Sequence, residues 1–309
     1  MTDFNYNPNV AVVLVTFNRL QYLKESLNYL LAQQYLPAKI YVINNASTDG
    51  TTDYLATLDN DLIEVVNLDQ NVGGAGGFSA GLKIACEANQ FDYYWVMDDD
   101  TYPKQDSLQE LIAALQKVNQ PEQVGVLASN VRWGKDSVPA IMNIPQVNEQ
   151  WNQYAEQGLV GITSSSFVSM LISDAAVRQC GLPVAEFFIW GDDVEYSRRI
   201  TQRFDGYFVG SSLVEHATKA NTGVDIIAEQ NPDKIGRYYY NFRNQAYIAR
   251  EFGKRDRVKN GLKYFYLLFK ITFGKSQYKL KKVRVLTKGY WKGLFFKPTI
   301  QFPQFKKHN

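Results

Sequence analysis

Cysteine and histidine are scarce in this chain of 309 residues, with two of each. Cys86 and Cys180 stand far apart and outside any metal-ligand spacing, which argues against a disulfide-stapled scaffold and a thiolate zinc site and makes reduced cytoplasm the expected compartment. Long apolar runs are missing too. The most aromatic stretch near the C-terminus, Tyr264 to Phe273, is broken by Lys270 and falls short of the ~20 residues a spanning helix needs, so no transmembrane segment is expected. The N-terminal residues lack a basic leader, and Val10 to Val15 is too short and too early for a signal sequence, so it reads as a first buried strand. An apolar fraction of 45% removes disorder as a whole-chain reading. The length suits one large domain with an appendage.

The formal net charge of +2 conceals a division at Phe252. Residues 253–309 hold 16 Lys or Arg against the single acid Asp256, leaving 17 basic and 30 acidic side chains in residues 1–252. An acidic body with a basic, aromatic tail predicts two regions with two tasks.

Asn9 to Thr16, Lys39 to Asn44, Leu62 to Asn67 and Tyr93 to Met97 read as strands. They alternate with helical patterns at Leu20 to Gln33, from Ser47 to Leu58, and at Phe78 to Asn89. This alternation predicts a mostly parallel α/β sheet of Rossmann-like kind, with ligands beyond the C-terminal ends of its strands. A helix from Ser107 to Val118 and a strand from Val124 to Val131 follow. Residues 134–160, rich in Asn, Gln, Pro and Gly, read as an irregular excursion. Gly161 to Ser173 reads as a strand, Asp174 opens a helix, Asp193 to Phe204 is a helix with acids first and arginines later, and Gly206 to Val214 is a last strand leading to His216.

Two carboxylate clusters carry the chemistry. Asp98-Asp99-Asp100 follows Tyr94-Trp95-Val96-Met97, and Asp192-Asp193 sits inside Phe188-Ile189-Trp190-Gly191-Asp192-Asp193-Val194-Glu195-Tyr196. Paired carboxylates after a buried strand suit a hard divalent cation that bridges phosphate oxygens. A solvated acidic turn is the plain alternative. Acids opening a helix are also ordinary, although that does not explain the preceding Trp190-Gly191. Gly73, Gly74, Gly76 and Gly77 open a helix with spacing unlike a dinucleotide fingerprint, so a tight loop is an alternative there.

Val12-Val13-Leu14-Val15-Thr16-Phe17-Asn18-Arg19, Ile43-Asn44-Asn45-Ala46-Ser47-Thr48-Asp49-Gly50-Thr51 and Met97-Asp98-Asp99-Asp100, in that order, resemble the nucleotide-sugar half of family 2 inverting glycosyltransferases with the GT-A fold. The likeness spans residues 9–250. Within that family, Asn71-Val72-Gly73-Gly74-Ala75-Gly76-Gly77-Phe78-Ser79, the Trp190 to Tyr196 run, His216 and Tyr238-Tyr239-Tyr240-Asn241-Phe242-Arg243-Asn244 look most like bacterial galactofuranosyltransferases; rhamnosyltransferases share similar motifs. The resemblance implies Asp98, Asp100 and His216 as ligands of Mn2+ or Mg2+ and Asp193 as the base that deprotonates the acceptor. It places Thr16, Phe17, Arg19, Asn45, Asn71, Gly73, Gly74, Asp98 and Asp99 around the donor, and Trp190 and Asp192 near the acceptor. Asn44 stands where many members carry an acid, and Ser165-Ser166-Phe167 stands where a known member has paired tryptophans.

Leu262, Phe265, Phe269 and Phe273 recur at helical spacing among lysines, and Val283, Leu286, Tyr290 and Leu294 form a second stripe. Such basic amphipathic helices suit an anionic membrane surface. A second copy of the chain is the other partner the tail could take. The expectation is therefore a GT-A domain over 1–252 with a helical basic extension over 253–309, peripheral at the inner face of the cell membrane. It would transfer galactofuranose from UDP-galactofuranose to a lipid-linked bacterial polysaccharide by metal-assisted direct displacement. Rhamnosyl transfer from dTDP-rhamnose is the alternative. A non-catalytic nucleic-acid- or glycan-binding protein is the reading from another class; it leaves the carboxylates unexplained, and no nucleic acid is expected as a partner.

Overall fold

The computed structural model describes residues 7–134 and 137–305. The expected domain ends at 1–6 and 306–309, and residues 135–136 of the expected excursion, lie outside the described residues.

Side chains of a strand alternate between faces, so the apolar run of β1 (Val10–Thr16) serves two cores at once. Val10, Val12 and Leu14 enter one cluster with Trp95 and Met97, while Ala11, Val13 and Val15 enter another with Tyr94 and Val96. Helix α1 (Leu20–Leu31), β2 (Lys39–Asn44), α2 (Thr51–Ala56), β3 (Ile63–Asn67), α3 (Gly73–Glu87) and β4 (Tyr93–Asp98) complete the alternating half. The strands β3, β2, β1 and β4 lie side by side and parallel. Strand order reverses between β1 and β4, which opens a crevice beyond their C-terminal ends.

Next come β5 (Thr101–Pro103), α4 (Ser107–Leu115), β6 (Val124–Trp133), β7 (Val138–Pro139) and β8 (Gln146–Val147), then β9 (Leu159–Ser164), β10 (Met170–Ser173), α5 (Asp174–Cys180), α6 (Asp192–Thr201) and β11 (Asp205–His216). The single strand expected over 161–173 is two strands. β9 pairs with β11, whereas β10 inserts antiparallel between β4 and β6. A left-handed Ser169 turns the chain between them, and its buried hydroxyl accepts from Trp95 Nε1 at 2.9 Å. The last strand runs on to include His216.

α3 starts five residues before the expected Phe78. A run of glycine is a poor helix former, but here it buys close approach to the sheet. A Cβ on Gly77 would sit 2.6 Å from Val15 Cγ1, and one on Gly81 2.8 Å from Ile43 Cγ1. Tertiary packing overrides propensity.

The chain ends in α7 (Pro232–Ile235), α8 (Tyr238–Glu251), α9 (Lys254–Phe273) and α10 (Lys279–Phe295). α10 lies directly against α8, where a Cβ on Gly289 would meet Tyr239 O at 2.7 Å. Lys282 is fully buried and donates to Ile227 O and Ser276 Oγ, both at 3.0 Å. Beyond α10 the chain returns to the body: Leu182 N donates to Gln301 O at 2.8 Å, and Phe305 stacks under Arg178 at 3.9 Å. The stripe with Leu286 faces inward, whereas Leu262, Phe265, Phe269 and Phe273 of α9 are 60–73% exposed.

Candidate active site

Strand register brings the first carboxylates together. Val15 pairs with Asp98, so Thr16 emerges beside Asp99 and donates from Oγ1 to Asp99 Oδ2 at 2.7 Å. β5 runs antiparallel to β11 with Thr101 opposite His216, and Ala217 N donates to Asp100 O at 2.8 Å. His216 Nε2 thereby stands 3.4 Å from Asp100 Oδ1. Arg19, half-exposed, sets Nη1 3.3 Å from Asp99 Oδ1 and makes a closer ion pair with Asp100.

The electrostatics follow from crowding in low dielectric. Burial, then the charge of Asp100, pushes Asp98 up to about 6, against His216 and Arg19; Asp193 adds a further upward push. Burial likewise raises Asp99 to about 7, with Arg19 pulling the other way. Burial would raise Asp100 too, but the His216 hydrogen bond and the Arg19 charge outweigh it and hold it below the usual carboxylate range.

This donor set fits a divalent cation. Asp98 and Asp100 repel one another where they are buried, and a cation between them and His216 would relieve that cost. His216 Nδ1 is bonded to Asn143 Oδ1 at 2.9 Å, while Asn143 Nδ2 donates to Ser166 Oγ at 2.8 Å. With the amide so oriented, Nδ1–H donates to Asn143 Oδ1, which leaves Nε2, beside Asp100, as the ring nitrogen that a cation would meet. Among the described residues no three His, Cys, Asp or Glu side chains already stand at metal-holding geometry. The Arg19 guanidinium lies on the Asp99–Asp100 edge, and its exposed arm would have to leave Asp100 to admit the ion.

The second cluster reaches the same crevice from α6. Its first turn carries Asp192, Asp193 and Glu195, its last Arg198 and Arg199. Glu195 is buried and tied to Arg199 through two contacts of 2.9 Å, so it holds the helix. Asp193 is half-buried and accepts from Val194 N at 2.7 Å. Burial, only partly offset by that bond, raises it to about 6. Asp192 is buried and pushed well up, first by burial and then by the charges of Asp193 and Asp98. Trp190, half-buried, packs on Tyr238 at 5.3 Å and under Arg237 at 5.2 Å.

Several residues expected around the donor are engaged by the protein itself. Asn45 Nδ2 donates to Asn71 Oδ1 at 3.2 Å and Gly73 O at 3.0 Å, and its Oδ1 accepts from Val72 N at 2.9 Å. Asn71 Oδ1 accepts from Gly73 N at 2.8 Å, and Ala75 N donates to Phe188 O at 3.3 Å. Three backbone N–H groups at the start of α3 are therefore already paired. Gly73, with φ 75°, lets the Phe188 backbone pass where any Cβ would collide. A Cβ on Gly74 would meet nothing, and Phe17 is exposed at the mouth of the crevice. Asn44 is buried and bonded to Thr52 Oγ1 and Asn67 Oδ1. Ser166, in the stretch that lacks paired tryptophans, supports Asn143. Asn143 itself was hidden in the irregular excursion, because an amide that matters only through a partner 73 positions away leaves no local signal.

The model of Glycosyl transferase family 2 matches residues 11–168. The galactofuranosyltransferase GlfT1 of Mycobacterium tuberculosis is 28% identical over 266 residues, covering 80% of this chain and 84% of that protein. GalNAc-T7, solved with UDP, GalNAc and Mn2+, superposes with a TM-score of 0.56 at 15% identity over 87% of this chain and 59% of that one. The mannosyltransferase PcManGT from Pyrobaculum calidifontis, solved with GDP-Man and Mn2+, gives 0.53 at 15% identity over 94% and 71%. These likenesses establish the GT-A fold.

Proposed function

The chain belongs to Glycosyl transferase family 2 and is a glycosyltransferase, and from that premise we propose that it transfers galactofuranose with inversion from UDP-galactofuranose to a lipid-linked bacterial polysaccharide. The observation that carries the proposal is the meeting of the two clusters: Ser197 of α6 bonds to Ser165 while the adjacent Ser166 holds the Asn143 that orients His216, and the charge of Asp193 pushes Asp98 upward across the same crevice.

In this reading the acceptor hydroxyl gives its proton to Asp193 as its oxygen bonds to the anomeric carbon. The bond to the diphosphate breaks on the opposite face, and UDP leaves with the electron pair. Asp98, Asp100 and His216 would hold Mn2+ or Mg2+, which supplies neutralising charge at the diphosphate. Arg19, released from Asp100, would lie within reach of the same anion. Thr16 acts through Asp99, and Asn45 and Asn71 through the α3 turn. Trp190 and Asp192 would face the acceptor. The 28% identity to GlfT1 over most of both chains supports galactofuranose over rhamnose.

Calorimetry tests the donor. UDP-galactofuranose should bind in the presence of Mn2+ and lose most of its affinity to chelator. Tighter binding of dTDP-rhamnose would replace the sugar and keep the mechanism, while binding of neither would overturn the donor assignment.

The tail supports placing this reaction at an anionic membrane surface. α9 presents Leu262, Phe265, Phe269 and Phe273 outward, in a region whose charge is overwhelmingly basic, and each Lys or Arg near such a surface contributes about 1 kcal/mol. Among the described residues no helix is long and apolar enough to cross a membrane. Truncation at 252 would strip the partner of α8, so the cleaner test changes the outward face alone. The full chain should sediment with phosphatidylglycerol vesicles, and Phe265→Glu with Phe269→Glu should release it while UDP binding persists. Retention by the double variant would sink the membrane role, and a shift from dimer to monomer would assign the face to a second copy.

A further inference from the structure

We propose that Asn244 of α8 is a positioning residue that holds the loop carrying Trp190 and leading into Asp193; the inference rests on the reading of Asp193 as the base. Asn244 is fully buried. Its Nδ2 lies 3.0 Å from Phe187 O, 3.1 Å from Ile189 O and 2.8 Å from Trp190 O. The remaining carbonyl of the segment, that of Phe188, accepts from Ala75 N at 3.3 Å. Every carbonyl from Phe187 to Trp190 is thus gripped from outside the loop.

The grip answers a conformational cost. Phe188 and Trp190 both have φ 65°, and Gly191 follows at 88°. Left-handed backbone disfavours residues with side chains, and such strain persists only where the surroundings over-determine it. Released, residues 188 and 190 would relax toward negative φ. Trp190 would rotate off Tyr238, and Gly191 would shift at the position that caps α6, one turn or less from Asp193.

Asparagine is the side chain that suits this task. The amide NH2 supplies two protons, enough for Ile189 O and Trp190 O, while Phe187 O accepts also from Arg243 Nη2 at 3.2 Å and Ile189 N at 2.7 Å. Arg243 Nε donates to Asn244 Oδ1 at 3.0 Å, which fixes the end of the amide that faces the loop. An isosteric Asp would set oxygen against three oxygens. Asn244 itself acts on the chemistry only through the loop.

The test uses the full chain labelled with 5-fluorotryptophan, the Trp190 19F resonance being assigned by Trp190→Phe. Asn244→Ala and Asn244→Asp are compared with Leu115→Ala, which removes a buried side chain from α4 in a core cluster that Trp190 does not touch. UDP release from UDP-galactofuranose, with Mn2+ and water as the acceptor, gives kcat and KM. Both Asn244 variants should broaden or split the Trp190 resonance. They should lower kcat about 100-fold, the order a misplacement of 1 Å costs, with KM for the donor within about threefold. Leu115→Ala should lower the melting temperature yet keep the sharp resonance and the kcat. A sharp resonance with wild-type kcat in Asn244→Ala overturns the proposal, and so does an equal loss in Leu115→Ala. Wild-type turnover in Asp193→Asn would refute the base instead, as absent hydrolysis would the donor, and the resonance would still decide whether Asn244 holds the loop.

Discussion

Asp193→Asn should leave UDP binding near the wild-type value and reduce transfer by about 10²–10⁴-fold, the contribution of a positioned general base. The side chain keeps its size and its place at the first turn of α6 but loses the lone pair that accepts the proton. Because burial raises Asp193 to about 6, the wild-type enzyme should lose turnover as pH falls through that region, where the carboxylate becomes protonated and can no longer act as a base. At saturating Mn2+, which would keep Asp98 ionised, any residual rate in Asp193→Asn should lack this acid limb. Turnover within tenfold of wild type, with the limb intact, would move the base to Asp192 or elsewhere. Asp192 is the weaker choice, since its burial and the adjacent Asp193 charge push it up further.

Asp100→Asn should abolish the Mn2+-dependent part of donor affinity while the fold persists. Asp100 is the carboxylate best kept ionised in the cluster, held below the usual range by His216 and Arg19 against the upward push of burial, and it stands between them. Even residues that only support a metal ligand cost about 10–100-fold in affinity when changed, so loss of a ligand should cost at least that much. Calorimetry with UDP, with and without Mn2+, reads the effect: wild type should show a large difference and the variant little or none. An unchanged Mn2+ dependence would remove Asp100 from the ligand set and leave it as the anchor of Arg19.

The parallel half of the sheet was legible because its signal is local. A strand buried on both faces reads as a near-continuous apolar run, and β1, β2 and β4 do so up to their polar ends, while α1 repeats Leu at helical spacing. The start of α3 was only half legible: the glycines open the helix, but apolar periodicity begins at Phe78. Its glycines argue against a helix until Val13, Val15 and Ile43 are placed beside them. The two strands hidden in residues 161–173 share one composition, and only their partners, β11 and β4, separate them.

The carboxylates were singled out because they stand next to a buried strand and a helix start, while His216 and Trp190 took their expected roles from the family resemblance. Their convergence was a tertiary fact. Register between β5 and β11 sets His216 on Asp100, and α6 carries Asp193 to Asp98 across almost a hundred positions of sequence.

What the sequence determined by itself was the inventory: an α/β body rich in acids, two carboxylate clusters at element ends, and a basic amphipathic tail. Tertiary structure alone decided which polar groups face the ligand and which face the protein. Each amide or carboxylate has only a few hydrogen-bonding sites, and a distant neighbour that takes them removes the residue from the pool able to bind substrate. Asn45 and Asn71 spend theirs on the α3 turn, Asn143 orients His216, and Asn244 grips the loop before Asp193. The same physics sorted the two stripes of the tail, since α8 covers the stripe of α10 and nothing among the described residues covers Phe265 and Phe269 of α9.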